Sequence, residues 1–265
     1  MVQDANIQQN ITYLPESRKE KADLYLPIQD GKKHPGMVII HGGGWVGGTK
    51  DATREVNIGR TLANHGYVCL SIDYQVDDPA SPTICWPQNL QDCKTAVRWL
   101  RAHADALNLD ADHIGVIGGS TGGHLACMVG VTGSESGLDP SGPYADKSCR
   151  VNCVVAMYAP VDLVDWKDIA ALRTTRAAAP ELYKQFSVLT HLDPKDPPVL
   201  ILQGDADTLV DVDHSKRFAQ ALAQQGIEHR LEIIPGAGHT FHLQPPQKDL
   251  RPLVVEFLDK HLKGP

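Results

Sequence analysis

Short, near-continuously apolar runs recur along this chain at 37–40, 68–72, 114–117, 154–158, 199–202 and 231–234. Strands buried on both faces read this way. Stretches of helical length alternate with them at 57–65, 89–102, 122–131, 213–225 and 250–262. In 89–102, Leu90, Cys93, Val97 and Leu100 fall three and four residues apart, which places them on one face of a helix. Alternating strands and helices imply parallel strands joined by right-handed crossovers, so the chain is expected to form an α/β sheet covered on both faces. Two further strands are expected at 11–14 and 22–26. The charged turn PESRKEK separates them and QDGKKHPG follows, which predicts an antiparallel edge.

With 265 residues, of which 42% are hydrophobic, the chain can bury one large core. No repeat or domain boundary interrupts it, and 1–265 is expected as a single domain. One stretch, 161–196, breaks the rhythm. It carries Trp166, an Ala/Arg-rich helix candidate at 169–178, Tyr183 and Phe186. It is read as an insertion over the C-terminal edge of the sheet, either a small lid or a longer crossover. The net charge of −7 comes without a basic block, which argues against a nucleic-acid partner. The opening MVQDANIQQNITYL lacks the basic-then-apolar pattern of a signal peptide, and no apolar run is long enough to span a bilayer. A soluble chain without a membrane partner is expected; a secreted or periplasmic protein trimmed of its leader would read the same. The six cysteines show no CxxC pair or Cys/His spacing for zinc, so no metal is expected. Cys69 and Cys127 read as buried thiols. Cys149 with Cys153, or Cys85 with Cys93, could pair in an oxidising compartment, and spacing does not choose between pairing and free thiols.

The segment IGVIGGSTGGHLA concentrates glycine around one hydroxyl where a strand gives way to a helix. Gly118-Gly119-Ser120-Thr121-Gly122 matches G-x-S-x-G, the pattern of a nucleophile elbow. A serine exposed on so sharp a turn needs strained backbone angles, and side chains two positions away on either side would collide. A phosphate-cradling turn is the alternative, but the G-x-G-x-x-G spacing is absent and several strands precede this one. A second cluster, His41-Gly42-Gly43-Gly44-Trp45, directly follows the strand at 37–40. It matches the HGGG loop, whose N–H groups complete an oxyanion hole with that of the residue after the nucleophile. The expected donors are Gly43, Gly44 and Thr121, with Trp45 as a candidate substrate contact.

HGGGW, DYQ, NLQDCKTAVRWLR, GGSTGGHLA, DPPVLILQGDADTLV and GAGHTF together resemble an α/β-hydrolase of the hormone-sensitive-lipase-like esterase group. Within it the chain is most similar to the small acetyl and feruloyl esterase (BD-FAE-like) branch, which acts on plant polysaccharide. The likeness runs from about His34 to the C-terminus. It implies a carboxylic ester hydrolase that needs no metal or organic cofactor. Thr121 stands where many relatives have alanine, and Gln203 where many have histidine.

A serine hydroxyl becomes nucleophilic when a histidine accepts its proton and a carboxylate holds that histidine; in this fold the chain order is Ser, Asp or Glu, His. After the strand at 199–202, the family pattern G-x-x-D-x-x-V selects Asp207. Asp205 reads as a turn cap, and Asp211 or Asp213 as the start of the next helix. His239, between glycines after the last strand, is the expected base and His242 the alternative. His214 and His229 read as solvated, His124 as packing behind the elbow, and Asp92 as a cap or pair on its own helix. The expected function is a serine carboxylesterase working on Ser120, Asp207 and His239. A peptidase or aminoacylase of the same fold, or an inactive binding protein on a hydrolase scaffold, are the alternatives.

Overall fold

The six apolar runs all become parallel strands. A computed structural model of the protein describes residues 6–264. The outermost positions of the expected 1–265 unit, including the first residues of the stretch inspected for a leader, lie outside the described residues. The strands are β1 (Asn6–Ile11), β2 (Ala22–Leu26), β3 (His34–Ile40), β4 (Val68–Ile72), β5 (Leu109–Gly119), β6 (Cys153–Met157), β7 (Val199–Gly204) and β8 (His229–Ile234). They form one eight-stranded sheet in the order β1-β2-β4-β3-β5-β6-β7-β8. β1 and β2 are antiparallel to their neighbours, and the other pairings are parallel. This is an α/β-hydrolase fold.

The helices are α1 (Thr53–Asn64), α2 (Gln88–Ala102), α3 (Thr121–Val131), α4 (Pro180–Phe186), α5 (Val212–Gln225) and α6 (Arg251–Leu262). Successive strand residues face opposite sides, so each strand feeds two cores. From β3, Val38 and Ile40 join Leu90, Val97, Leu125 and Phe218 on one face. Met37 and Ile39 join Ile58, Leu62, Val254 and Leu258 on the other. Burial on both faces is why β3, β4, β6, β7 and the 114–119 part of β5 lack polar alternation, whereas β8, at the sheet edge, is only half-buried and carries Glu232.

Two expected elements are displaced. The first strand ends at Ile11 and does not occupy 11–14. Its register with β2 shifts between Gln8 and Ile11, where Asn10 takes φ 60 and its N–H donates to Asp23 Oδ1 at 3.0 Å. Beyond it Tyr13 turns into the core and donates its hydroxyl to the Asp73 carbonyl. The helix expected at 169–178 is only a 3₁₀ turn, Ala170–Leu172, ended by Arg173 at φ 52. The Arg173 guanidinium is drawn onto Asp77, with Nη2–Oδ1 2.8 Å and Nε–Oδ2 3.0 Å. Two β-branched threonines follow, which lower helix propensity further. The helix of this segment forms instead at α4, with Pro180 at its first position.

All six cysteines are free and buried, so neither candidate disulfide is formed. Among the described residues, no helix is long and apolar enough to cross a membrane.

Asp92 does not pair only on its own helix. Arg18, in the charged turn between β1 and β2, grips it with Nη2–Oδ2 2.6 Å and Nη1–Oδ1 3.1 Å. The Gln75 N–H adds 2.9 Å. This pair closes the antiparallel edge onto α2. Removing the cation strands a buried carboxylate, so Arg18→Leu should cost about 3 kcal/mol or more in urea unfolding. Asp92→Asn, which removes the charge along with its partner's target, should cost less.

Candidate active site

β5 stops at Gly119 and α3 begins at Thr121, so the chain reverses within Ser120 alone, at φ 57 and ψ −125. The Ser120 N–H is spent on the Met157 carbonyl at 2.9 Å, and its own carbonyl accepts from the His124 N–H at 3.0 Å. A Cβ on Gly118 would stand 2.3 Å from the Gly122 carbonyl oxygen, and one on Gly122 2.1 Å from that of Ile40. Any side chain at either position would push the helix off the strands, which is the steric need anticipated from the motif.

The C-terminal ends of the parallel strands bring three distant segments together. His239, on the loop after β8, has Nε2 2.9 Å from Ser120 Oγ and Nδ1 2.7 Å from Asp207 Oδ2. A carboxylate only accepts, so Nδ1 carries the proton and Nε2 is free to accept the serine proton. Asp207, on the loop after β7, is held by further donors. Oδ1 accepts the N–H groups of Leu209 and Val210, both at 2.9 Å, and Oδ2 accepts Gln203 Nε2 at 3.2 Å. Gln203 is itself fixed, with Oε1 accepting from Ser215 Oγ at 2.9 Å. Gln203 thus serves as a fixed side-chain donor to the carboxylate. Asp205 does not cap its own turn but reaches the loop after β8, where it accepts the Gly236 N–H, while Asp211 caps α5. Among the described residues His242 accepts only the nearby Gln244 N–H.

The glycine loop after β3 is shaped from beneath. His41 donates Nδ1–H to the Gly42 carbonyl at 2.7 Å and stacks on Tyr74, whose hydroxyl donates to the His41 carbonyl at 2.8 Å. Among the described residues, the N–H groups of Gly43, Gly44 and Thr121 have no protein acceptor, so the three expected oxyanion donors are unspent. The buried Thr121 hydroxyl lies beside that of Tyr74. Trp45, expected as a substrate contact, has its ring buried against His124 and Phe186. Its Nε1–H donates to His124 Nδ1 at 3.3 Å, and His124 Nε2–H donates to the Phe186 carbonyl at 2.7 Å. The ring therefore ties the glycine loop to α3 and to the 161–196 segment.

His214 corrects the sequence reading: it is 1% exposed, not solvated. Its Nδ1 accepts from the Val161 and Asp162 N–H groups at 3.4 Å, and its ring lies edge-on to Trp166. Aliphatic and aromatic neighbours supplied by the insertion bury it, and a helix pattern taken alone cannot show them. Tyr158 and Arg54, beside His239 and Ser120, also went unmarked. Both are single residues outside any motif.

The BD-FAE family model matches residues 22–222. The chain is 31% identical over 224 residues to Esterase LipC of Mycobacterium tuberculosis, covering 80% of this chain and 54% of that protein. The chain spans about half the length of the curated relatives it matches first. A truncated form of a carbohydrate esterase from gut microbiota superposes with TM-score 0.89 at 25% identity, over 98% of this chain and 97% of that one. An acetyl ester-xyloside bifunctional hydrolase from Caldicellulosiruptor lactoaceticus gives 0.77 at 25% identity, over 96% and 94%.

Burial lowers the pKa of His41, His124 and His214 from 6.5 to about 4 and holds all three neutral. The unfolded chain takes up these protons near pH 6.5 and the folded chain only near pH 4. Their contribution to stability is therefore complete above the unfolded value and is lost as pH falls through that window, at about 1.4 kcal/mol per pH unit per group. His214→Gln removes one such proton. Its acid limb should be shallower by about 1.4 kcal/mol per unit between about pH 5 and 6. Urea unfolding across that range measures this, and an unchanged slope would show that His214 protonates freely in the folded state.

Proposed function

Because the chain belongs to the BD-FAE family, we propose that it is a serine carboxylesterase that cleaves short acyl esters through an acyl-enzyme. The observation that carries this reading is the unbroken relay from Asp207 through His239 to Ser120. Ser120 Oγ attacks the ester carbonyl while His239 Nε2 takes its proton. The carbonyl oxygen becomes an oxyanion opposite the unspent N–H groups of Gly43, Gly44 and Thr121, at the positive end of α3. The intermediate collapses as the imidazolium gives its proton to the departing alkoxide, and water repeats the sequence to free the acid. Asp207 keeps the proton on Nδ1 and stabilises the imidazolium.

Acetyl or feruloyl esters of plant polysaccharide are the natural substrates we favour. The likeness to the gut carbohydrate esterase and to the acetyl ester-xyloside hydrolase supports that class. The 161–196 segment supports small acyl groups. Leu163, Leu172, Tyr183, Phe186 and Val188 turn into the core, which leaves little apolar surface facing out. Salt bridges from Arg173 to Asp77 and from Arg217 to Asp162 fasten it. We read it as a fixed cover, not as a mobile lipase lid.

Ser120→Ala should lower kcat on the order of 10⁴-fold or more with the fold intact, and Asp207→Asn should be far more damaging than Asp205→Asn. Near-normal turnover in folded Ser120→Ala ends the serine reading. In a p-nitrophenyl ester series from two to sixteen carbons, acetate to butyrate should be cleaved much faster than decanoate. An optimum at ten carbons or more, with activation at a lipid interface, would make the segment a lid.

A further inference from the structure

Among the described residues, eight non-glycine residues have left-handed backbone angles, and four of these, Trp45, Ser120, Tyr158 and Thr240, lie on the loops that meet at the site. Strain of this kind persists where the side chain it presents is needed. The first two were explained above, and Thr240 adjoins the base. Tyr158 has no role in the proposed chemistry, yet it takes φ 39 at the end of β6 and is fully buried.

Its side chain reaches both catalytic loops. The ring lies 4.8 Å from that of His239 at 62° and 4.6 Å from that of Phe241 at 73°. The hydroxyl donates to the Phe241 carbonyl at 2.7 Å, and since that carbonyl only accepts, the same oxygen accepts Arg54 Nη1–H at 2.9 Å. Among the described residues this is the one hydrogen bond between the backbone of 238–242 and the rest of the protein. The flanking anchors are the Ala237 carbonyl, which takes the Ala206 N–H, and the Leu243 N–H, which reaches Asn57. On the nucleophile side, a Cβ on Gly119 would meet the Tyr158 hydroxyl at 2.6 Å and Arg54 Nη1 at 2.9 Å. One oxygen thus touches the backbone before Ser120 and pins the loop that carries the base. Arg54 is aimed in turn by Glu55, whose Oε1 accepts its Nε–H at 2.7 Å. Burial raises the Tyr158 pKa to about 12, so it stays a donor at any working pH.

We propose that Tyr158, aligned by Arg54, is a positioning residue that sets the separation of His239 from Ser120. This rests on the serine-esterase reading. It acts on geometry and not on binding, so its loss should appear in kcat. Misplacing a catalytic group by about 1 Å can cost 10²-fold.

The experiment compares wild type, Tyr158→Phe, Arg54→Lys and Arg54→Met with p-nitrophenyl acetate. Active sites are counted by titrating Ser120 with a diethyl organophosphate. In Tyr158→Phe, kcat per titrated site should fall about 10- to 100-fold with KM within about twofold. Arg54→Lys, which keeps a donor, should lose less than Arg54→Met. A purely structural role would instead reduce the fraction of titratable sites and leave each survivor at wild-type kcat, and that result overturns the proposal. Should Tyr158→Phe not accumulate folded, Arg54→Met leaves the tyrosine in place and reads the same quantity; an unchanged per-site kcat there overturns it equally. Wild type that takes no phosphoryl label at Ser120 would sink the esterase reading itself, a different outcome from normal labelling with unaffected variants.

Discussion

A single residue, Ser120, joins β5 to α3, and the rest of the site is arranged around that junction. A strand can pass into a helix in one step only if the joining residue leaves ordinary φ/ψ space, at a cost of order 1–3 kcal/mol. The burial of both elements offsets it. Ile114–Gly119 and Thr121–Val129 are buried without interruption, and they can be buried only if the turn holds. The same geometry aims the serine away from the core and opens the first turn of α3, where N–H groups lack intrahelical partners. Strain, exposure of the hydroxyl and free donors for an anion are thus three results of one chain reversal.

The remaining groups are sorted by what the parallel sheet brings to its C-terminal edge. β3, β5, β7 and β8 each end in a loop that supplies one part: unspent N–H groups, the serine, the carboxylate and the imidazole. Histidine illustrates how environment decides role. His41, His124 and His214 are buried against backbone groups and aromatic rings and are kept neutral, so they can only pack and bridge. His239 alone among them faces a buried carboxylate on one nitrogen and a hydroxyl on the other. That carboxylate has its other lone pairs filled by backbone and glutamine donors, which fixes its direction.

The 161–196 segment braces the loops around Ser120. Phe186 receives the His124 hydrogen bond through its carbonyl while its ring meets Trp45 and Trp86. The glycine loop, α3 and the 161–196 segment therefore share one aromatic cluster, and movement in any of them disturbs the others.

Periodicity was enough for the parallel strands, because a strand in the middle of such a sheet must be apolar at nearly every position and a helix between two such strands must show one apolar face. The glycine spacings and chain order singled out Ser120, Asp207 and His239, three residues that the fold brings within hydrogen-bond distance of one another. Local pattern failed wherever a distant partner overrode it. Arg173 left the expected helix for Asp77, Tyr13 left the expected strand for the Asp73 carbonyl, and His214 was buried by a segment some fifty residues away in sequence. Asp92 found Arg18 in the turn between β1 and β2, and Tyr158 and Arg54 met beside the loops that carry Ser120 and His239 without any motif to mark them. Sequence alone determined the alternation of elements and the chemistry at the strand ends, because both follow from the steric and solvation needs of single segments. Only the tertiary structure decided which buried charges pair, which histidines stay neutral and which side chains pack against His239, because those depend on distances between segments that no local pattern contains.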